Sequence, residues 1–178
     1  MTRQANRIIV EGMDGSGKST LIKHLMETFP NLDLIINEKG PEQNFSKWLP
    51  AAFDREESPQ VPIHDRFFYS ELVYGPILRG RINMEPLLME NGLWFLRNLS
   101  LLIYARPHSD KLRQGVQSKE QMEGVHERFI QLLELYDQLM AAEKSWYGAR
   151  FVQYVWHRDD ELKRVEGIVR SYLAGEIR

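Results

Sequence analysis

Residues 12–19 read Gly12-Met13-Asp14-Gly15-Ser16-Gly17-Lys18-Ser19, which satisfies G-x-x-x-x-G-K-[ST] at every fixed position. No other feature of the chain restricts its fold so tightly, because such a loop works only between a strand and the N-terminus of a helix. The flanking residues supply both. Arg7 to Glu11 is a short run of β-branched apolar residues ending at glycine, the pattern of a strand buried on both faces. Lys18 to Phe29 carries Leu21, Ile22, Leu25, Met26 and Phe29 at i, i+1, i+4, i+5 and i+8, with Pro30 as the stop, which predicts a helix with one apolar face. Leu32 to Asn37 reads as a second strand, so the first 37 residues form a βαβ unit.

The alternation continues along the chain. Strands are expected at Val61 to His64, Leu101 to Tyr104 and Arg150 to Val155. Helices are expected from Phe68 to about Leu78, bent or ended near Gly75-Pro76, from about Met84 to Arg97, from Val125 to Lys144 and from about Asp160 to Ala174. Phe129, Leu132, Leu133, Tyr136, Leu139 and Met140 recur at helical spacing and read as core. Five strands with interleaved helices give an α/β chain, a three-layer P-loop NTPase fold whose five-stranded parallel sheet carries helices on both faces. Segments 38–60 and 107–123 are polar connections long enough to be functional. The 178 residues contain no long Gly/Ser/Pro linker, so residues 1–178 are expected to form a single domain. With Cys 0 there is no disulfide framework and no cysteine metal site. The apolar run of a membrane span is missing, and the expected location is cytoplasmic, with no membrane partner. Lys+Arg 23 against Asp+Glu 25 gives a net charge of −2, which argues against a non-specific nucleic-acid binder.

The loop has its own chemistry. Glycines at 12, 15 and 17 let successive N–H groups converge on one concavity, and the following helix N-terminus adds partial positive charge. A triphosphate fits there. The expected nucleotide contacts are Gly12, Asp14, Gly15, Ser16, Gly17, Lys18, Ser19 and Thr20, with ATP as the ligand and Mg²⁺ as its ion. Lys18 would reach the β- and γ-phosphates, and the Ser19 hydroxyl would ligate Mg²⁺ together with Asp65, which lies at the carboxyl end of its strand. Arg66 follows at once, and its planar fork suits a phosphate better than lysine would. The competing account of Asp65-Arg66 is a surface ion pair or a helix cap.

The guanine-specifying Asn-Lys-x-Asp of a GTPase is missing from the sequence. Val10 to Thr20, then Asp65-Arg66-Phe67-Phe68-Tyr69-Ser70-Glu71-Leu72-Val73-Tyr74, then Leu101 to Tyr104 ahead of a polar segment, resemble the thymidylate kinase family of nucleoside monophosphate kinases. The short form, with Gln121 to Val125 ahead of the long helix, is similar to its compact phage-encoded branch. The resemblance implies that Asp14 contacts the acceptor sugar or positions the acceptor, and that Arg66 grips the acceptor phosphate. It further implies a base pocket at Phe53 and Arg55, for which a core aromatic and a solvated charge are the competing account; Tyr69 and Tyr74 could line it, although buried aromatic packing is the better account of both. The acceptor region spans about 38–82 and the lid about 107–123, where Arg113, beside Lys111 and Arg106, is the expected cation on the transferring phosphoryl group. The family often dimerises through helices beside the sheet, and the helix carrying Tyr69 and Tyr74 is a candidate interface for a homodimer.

The departures from the family fall on the acceptor side. Its usual Arg-Glu-Pro-Gly is Asn37-Glu38-Lys39-Gly40-Pro41 here, and its Leu-Asp after the fourth strand is Ala105-Arg106. The expected activity is therefore ATP:deoxynucleoside monophosphate phosphotransfer to an acceptor such as dTMP. The alternative is transfer to a hydroxyl of a nucleoside, modified nucleotide or polynucleotide, with Asp14, Glu38 or Asp65 as base and Arg79-Gly80-Arg81 on a strand's phosphates. A non-catalytic nucleotide-binding regulator is a third reading, disfavoured by the intact Lys18, Ser19 and Asp65.

Overall fold

The computed structural model describes residues 7–36, 60–118 and 122–177. Five strands, β1 (Arg7–Glu11), β2 (Leu32–Ile36), β3 (Val61–Asp65), β4 (Ser100–Ala105) and β5 (Phe151–Tyr154), form one sheet in the order β2-β3-β1-β4-β5. Every pairing is parallel, with Val10 opposite both Asp65 and Ile103. The helices are α1 (Lys18–Thr28), α2 (Phe68–Tyr74), α3 (Pro86–Leu99), α4 (Ser109–Gln117), α5 (Phe129–Tyr147) and α6 (Glu161–Leu173).

The pleat of β1 sorts the core into two layers. Ile8 and Val10 face α1 and α6, packing with Leu21, Leu25, Val165 and Val169. Ile9 faces the other way, into a cluster with Phe68, Leu96, Leu132, Tyr136 and Met140. A parallel sheet covered on both faces is the three-layer arrangement that the strand–helix alternation predicts. The central strand, β1, lies where the connections reverse direction: α1 carries the chain to the β2 side and β4 lies on the other. Ligands of open α/β sheets bind outside the carboxyl ends of the strands at such a reversal.

Two sequence expectations need correction, and a third is made more definite. The polar segment 107–123 is not simply a connection: Ser109–Gln117 is a helix, α4, with Leu112 and Val116 buried. Its apolar positions are too few for periodicity to mark it. The long helix starts at Phe129 rather than Val125, because Gly124 takes a left-handed φ of 82° and Met122 to Arg128 turn around it. Val125 is still fully buried, so it signals core without being helical. The helix predicted to Leu78 ends at Tyr74 and continues as a π-turn over Gly75–Arg79, as the Gly75-Pro76 break suggests.

Helix α2 also differs from the expected interface. Phe68, Tyr69, Glu71, Val73 and Tyr74 are buried and none of its seven residues is exposed, so it offers a second copy no exposed side chain. Among the described residues, no helix is long and apolar enough to cross a membrane.

Candidate active site

The phosphate loop leaves β1 at Glu11 and enters α1 at Lys18. Gly12, Gly15 and Gly17 have φ of 139°, 74° and 91°, a region that side-chain-bearing residues rarely adopt. The Lys18 ammonium folds back onto the loop and donates to the carbonyls of Gly12 and Met13, at 2.9 Å each. Burial, aided by the Arg66 guanidinium, pushes the Lys18 ammonium down to about 7, while the carboxylates of Asp14, Asp65 and Glu11 pull the other way. A phosphate drawn into the loop favours the charged ammonium, so ligand binding takes up a proton. The direction follows: with the empty-site value near 7 and the ordinary value at 10.5, triphosphate affinity falls as pH rises from about 7 toward 10.5. Calorimetric titration at pH 8 in two buffers of different ionisation enthalpy is expected to show proton uptake by the protein, and equal enthalpies in the two buffers would rule it out.

The structure brings Asp14 and Arg66 together. Arg66 Nη2 donates to Asp14 Oδ1 at 2.8 Å, with both side chains mostly buried. Arg66 is held at φ 68°, in the left-handed region, by its own N–H donating to the Val10 carbonyl at 3.0 Å. Its Nη1 donates to Ser70 Oγ at 3.1 Å and to the Tyr136 hydroxyl at 3.3 Å. The guanidinium also lies 5.2 Å from the Tyr74 ring centroid. Tyr74 is buried beside the Arg66 guanidinium. Tyr69 is fully buried and its hydroxyl bonds Glu143 and Tyr147, both at 3.1 Å. Core packing is the correct account of Tyr69, and it leaves the substrate set. Phe53, Arg55, Glu38 and Lys39 lie outside the described residues.

For the metal, Asp65 Oδ1 is buried without a hydrogen-bond partner, at the end of the strand next to β1. Ser19 lies exposed in the first turn of α1. Among the described residues no group of three or more His, Asp or Glu side chains could hold a metal alone. One carboxylate and one hydroxyl completed by phosphate and water oxygens is the donor set Mg²⁺ takes in nucleotide sites, and these residues fit it.

Helix α4 sits directly on the phosphate loop. A Cβ on Gly115 would lie 2.7 Å from the Gly15 carbonyl oxygen, and a Cβ on Gly15 only 2.4 Å from the Gly115 carbonyl carbon. Neither position has room for a methyl group, which explains a glycine inside a helix at a cost of about 1 kcal/mol relative to alanine. Gly115→Ala is thus expected to lower the thermal midpoint while lifting α4 off the loop, because the Gly15 backbone it meets cannot give way cheaply and the burial of Leu112 and Val116 is disturbed. Nucleotide affinity should fall about tenfold with the lost closure, a magnitude set by one closing contact. Unchanged affinity in the folded variant would show the contact to be incidental.

Arg113 is placed differently from expectation. It is two residues from Gly115, about 200° around the helix at 100° per residue, and its guanidinium lies 5.3 Å from the Phe129 ring centroid. With Gln117, His126, Glu127 and Ile130 it lines a cavity of about 220 Å³ on the α5 side. In this arrangement Arg113 faces away from the loop that Gly115 touches. Arg106 is committed as well, donating to both carboxylate oxygens of Asp137 at 2.8 Å. Arg79 is ion-paired to Glu71.

Sequence reasoning gave no role to three groups at the site. Glu11, fully buried, accepts from the Phe67 N–H at 2.7 Å, the Ser70 hydroxyl at 2.8 Å and the Tyr136 hydroxyl at 3.3 Å. Burial raises its pKa, with Arg66 pulling the other way. Trp156, after β5, covers Gly17, where a Cβ would come within 2.9 Å of its ring. His157 next to it packs on His108 at the start of α4, ring centroids 4.5 Å apart. A polar residue inside the strand-like Arg7–Glu11 run was the one sequence signal for Glu11.

No protein-family profile matches the chain, and no curated protein matches it in sequence. Solved structures do share the fold. The YorR protein of Bacillus subtilis, solved in complex with phosphorylated GDP, superposes with a TM-score of 0.70 at 19% identity, covering 94% of this chain and 97% of its own. A deoxyadenosine kinase from M. mycoides, with dCMP and dCDP as bound products, gives 0.57 at 16% identity, covering 95% and 99%. The thymidylate kinase of Candida albicans gives 0.55 at 14% identity, covering 98% and 92%. The chain thus shares the fold of P-loop nucleoside and nucleotide kinases.

Proposed function

We propose that this chain is a P-loop kinase of the thymidylate kinase-like family that moves the γ-phosphoryl group of ATP to the phosphate of a deoxynucleoside monophosphate such as dTMP. The observation that carries the reading is the Asp14–Arg66 pair, 2.8 Å apart, with Asp14 inside the phosphate loop and Arg66 one residue from Asp65. It supports an acceptor site against the donor phosphates, because it sets a planar guanidinium, a group whose fork suits phosphate oxygens, beside the phosphate loop.

An acceptor phosphate is already a nucleophile, so the reaction rests on positioning and charge neutralisation and needs no strong base. Lys18 and the loop N–H groups hold the β- and γ-phosphates, Ser19 and Asp65 hold Mg²⁺, and Arg66 with Asp14 holds the acceptor. When bound, Mg²⁺ neutralises developing charge on the phosphate oxygens. A hydroxyl acceptor would need a base. Of the bases weighed for that reading, Asp14 is ion-paired to Arg66, which makes it a poor proton acceptor, and Asp65 is assigned here to the metal. Arg79, tied to Glu71, gives little support to a polynucleotide strand.

The test is phosphate transfer from Mg·ATP across dTMP, dUMP, dCMP, dGMP, dAMP, their ribose forms, thymidine and 5′-hydroxyl DNA. A diphosphate product is expected and names the base. Transfer to hydroxyl acceptors alone would overturn the monophosphate reading, and nucleotide binding without transfer to any of them would overturn the kinase reading.

A further inference from the structure

We infer that Tyr136, on α5, is the positioning residue that holds the Arg66 guanidinium in place for the acceptor phosphate; this rests on the acceptor role proposed for Arg66. Side chains from two segments distant in sequence, the end of β1 and residues 66–70, meet at its hydroxyl. Ser70 Oγ of α2 is 2.8 Å away, Glu11 Oε2 at the end of β1 accepts from it at 3.3 Å, and Arg66 Nη1 donates to it at 3.3 Å. Ser70 in turn donates to Glu11 at 2.8 Å and accepts from Arg66 at 3.1 Å. Glu11 also holds the turn that carries Arg66, through the Phe67 N–H at 2.7 Å.

The arrangement answers a mechanical problem. A long guanidinium side chain loses substantial rotamer entropy when it is fixed, and the Arg66 backbone is in the left-handed region, so neither stiffens the side chain by itself. Asp14 restrains one Nη and the Ser70–Tyr136 hydroxyls restrain the other, which fixes the plane of the fork as well as its position. Tyr136 is stiff enough for the task. It is fully buried, stacked with Tyr104 at 6.0 Å and 19°, and edge-on to Tyr74 at 6.0 Å and 80°. Burial and the nearby Glu11 carboxylate keep its phenol protonated, well above the ordinary range, so the hydroxyl keeps its proton.

Tyr136→Phe removes the hydroxyl and keeps both ring contacts. In the ligand-free protein, the Arg66 Nε–Hε order parameter measured by NMR is expected to fall while the thermal midpoint changes little. In kinetics, the acceptor KM is expected to rise about tenfold, the scale of one hydrogen bond to a charged group, with the ATP KM unchanged. The same substitution in an Arg66→Ala background should add nothing. An unchanged order parameter in folded Tyr136→Phe would overturn the inference, as would an equal kinetic loss with Arg66 already removed. Failure of the acceptor reading is distinguishable: the wild type would then transfer to no monophosphate, while the order-parameter test still decides whether Tyr136 fixes Arg66.

Discussion

Lys18→Ala is expected to lower turnover by about a hundred- to a thousandfold, the range found when a preorganised donor to developing charge is removed. The ammonium lies buried in the loop, fixed on the Gly12 and Met13 carbonyls at 2.9 Å, so it needs little reorganisation to meet a phosphate in that concavity. The fold should survive, because what is removed is a charge that burial already disfavours. Lys18 titrates lower in the folded than in the unfolded chain, and below about 7 the folded state carries the full penalty of a buried ammonium. That penalty is relieved as pH rises toward 10.5. The empty variant should therefore gain stability over the wild type at pH 6 and lose that advantage at high pH. Wild-type turnover in a folded Lys18→Ala protein would remove the residue from the reaction.

Arg66→Ala is expected to weaken acceptor use by about ten- to a hundredfold, from about 1.5–3 kcal/mol for hydrogen bonds to a charged group. The ATP KM should stay near that of the wild type. Stability should fall too, because Glu11 is fully buried and Asp14 is largely so, and each loses a compensating cation. Arg66→Lys separates the effects, since it keeps the charge and loses the bidentate fork. Arg66→Lys should recover most of the thermal midpoint and little of the acceptor affinity. Acceptor kinetics unchanged in Arg66→Ala would move the phosphate grip to another residue.

What the sequence by itself determined was local. The phosphate loop is legible because positive φ at 12, 15 and 17 demands glycine, and because strand and helix periodicities flank it within a few residues. The five strands and the sheet's burial follow from short apolar runs, and Asp65-Arg66 from its place at a strand's end. The tertiary structure alone decided what joins across distance. Glu11 meets Phe67 over 56 positions and Tyr136 over 125, and no periodicity encodes such a meeting. Tyr136 reads in sequence as one more apolar position on a core stripe, and only the packing shows that its hydroxyl ends at Arg66. Helix α4 is hidden for a related reason: its glycine lowers local helix propensity, while the close approach of Gly15 that requires the glycine exists only once the chain has folded. Arg113 falls to the same limit. Its position in the chain suggests the phosphate, and about 200° of helix rotation from Gly115 places it over Phe129 instead.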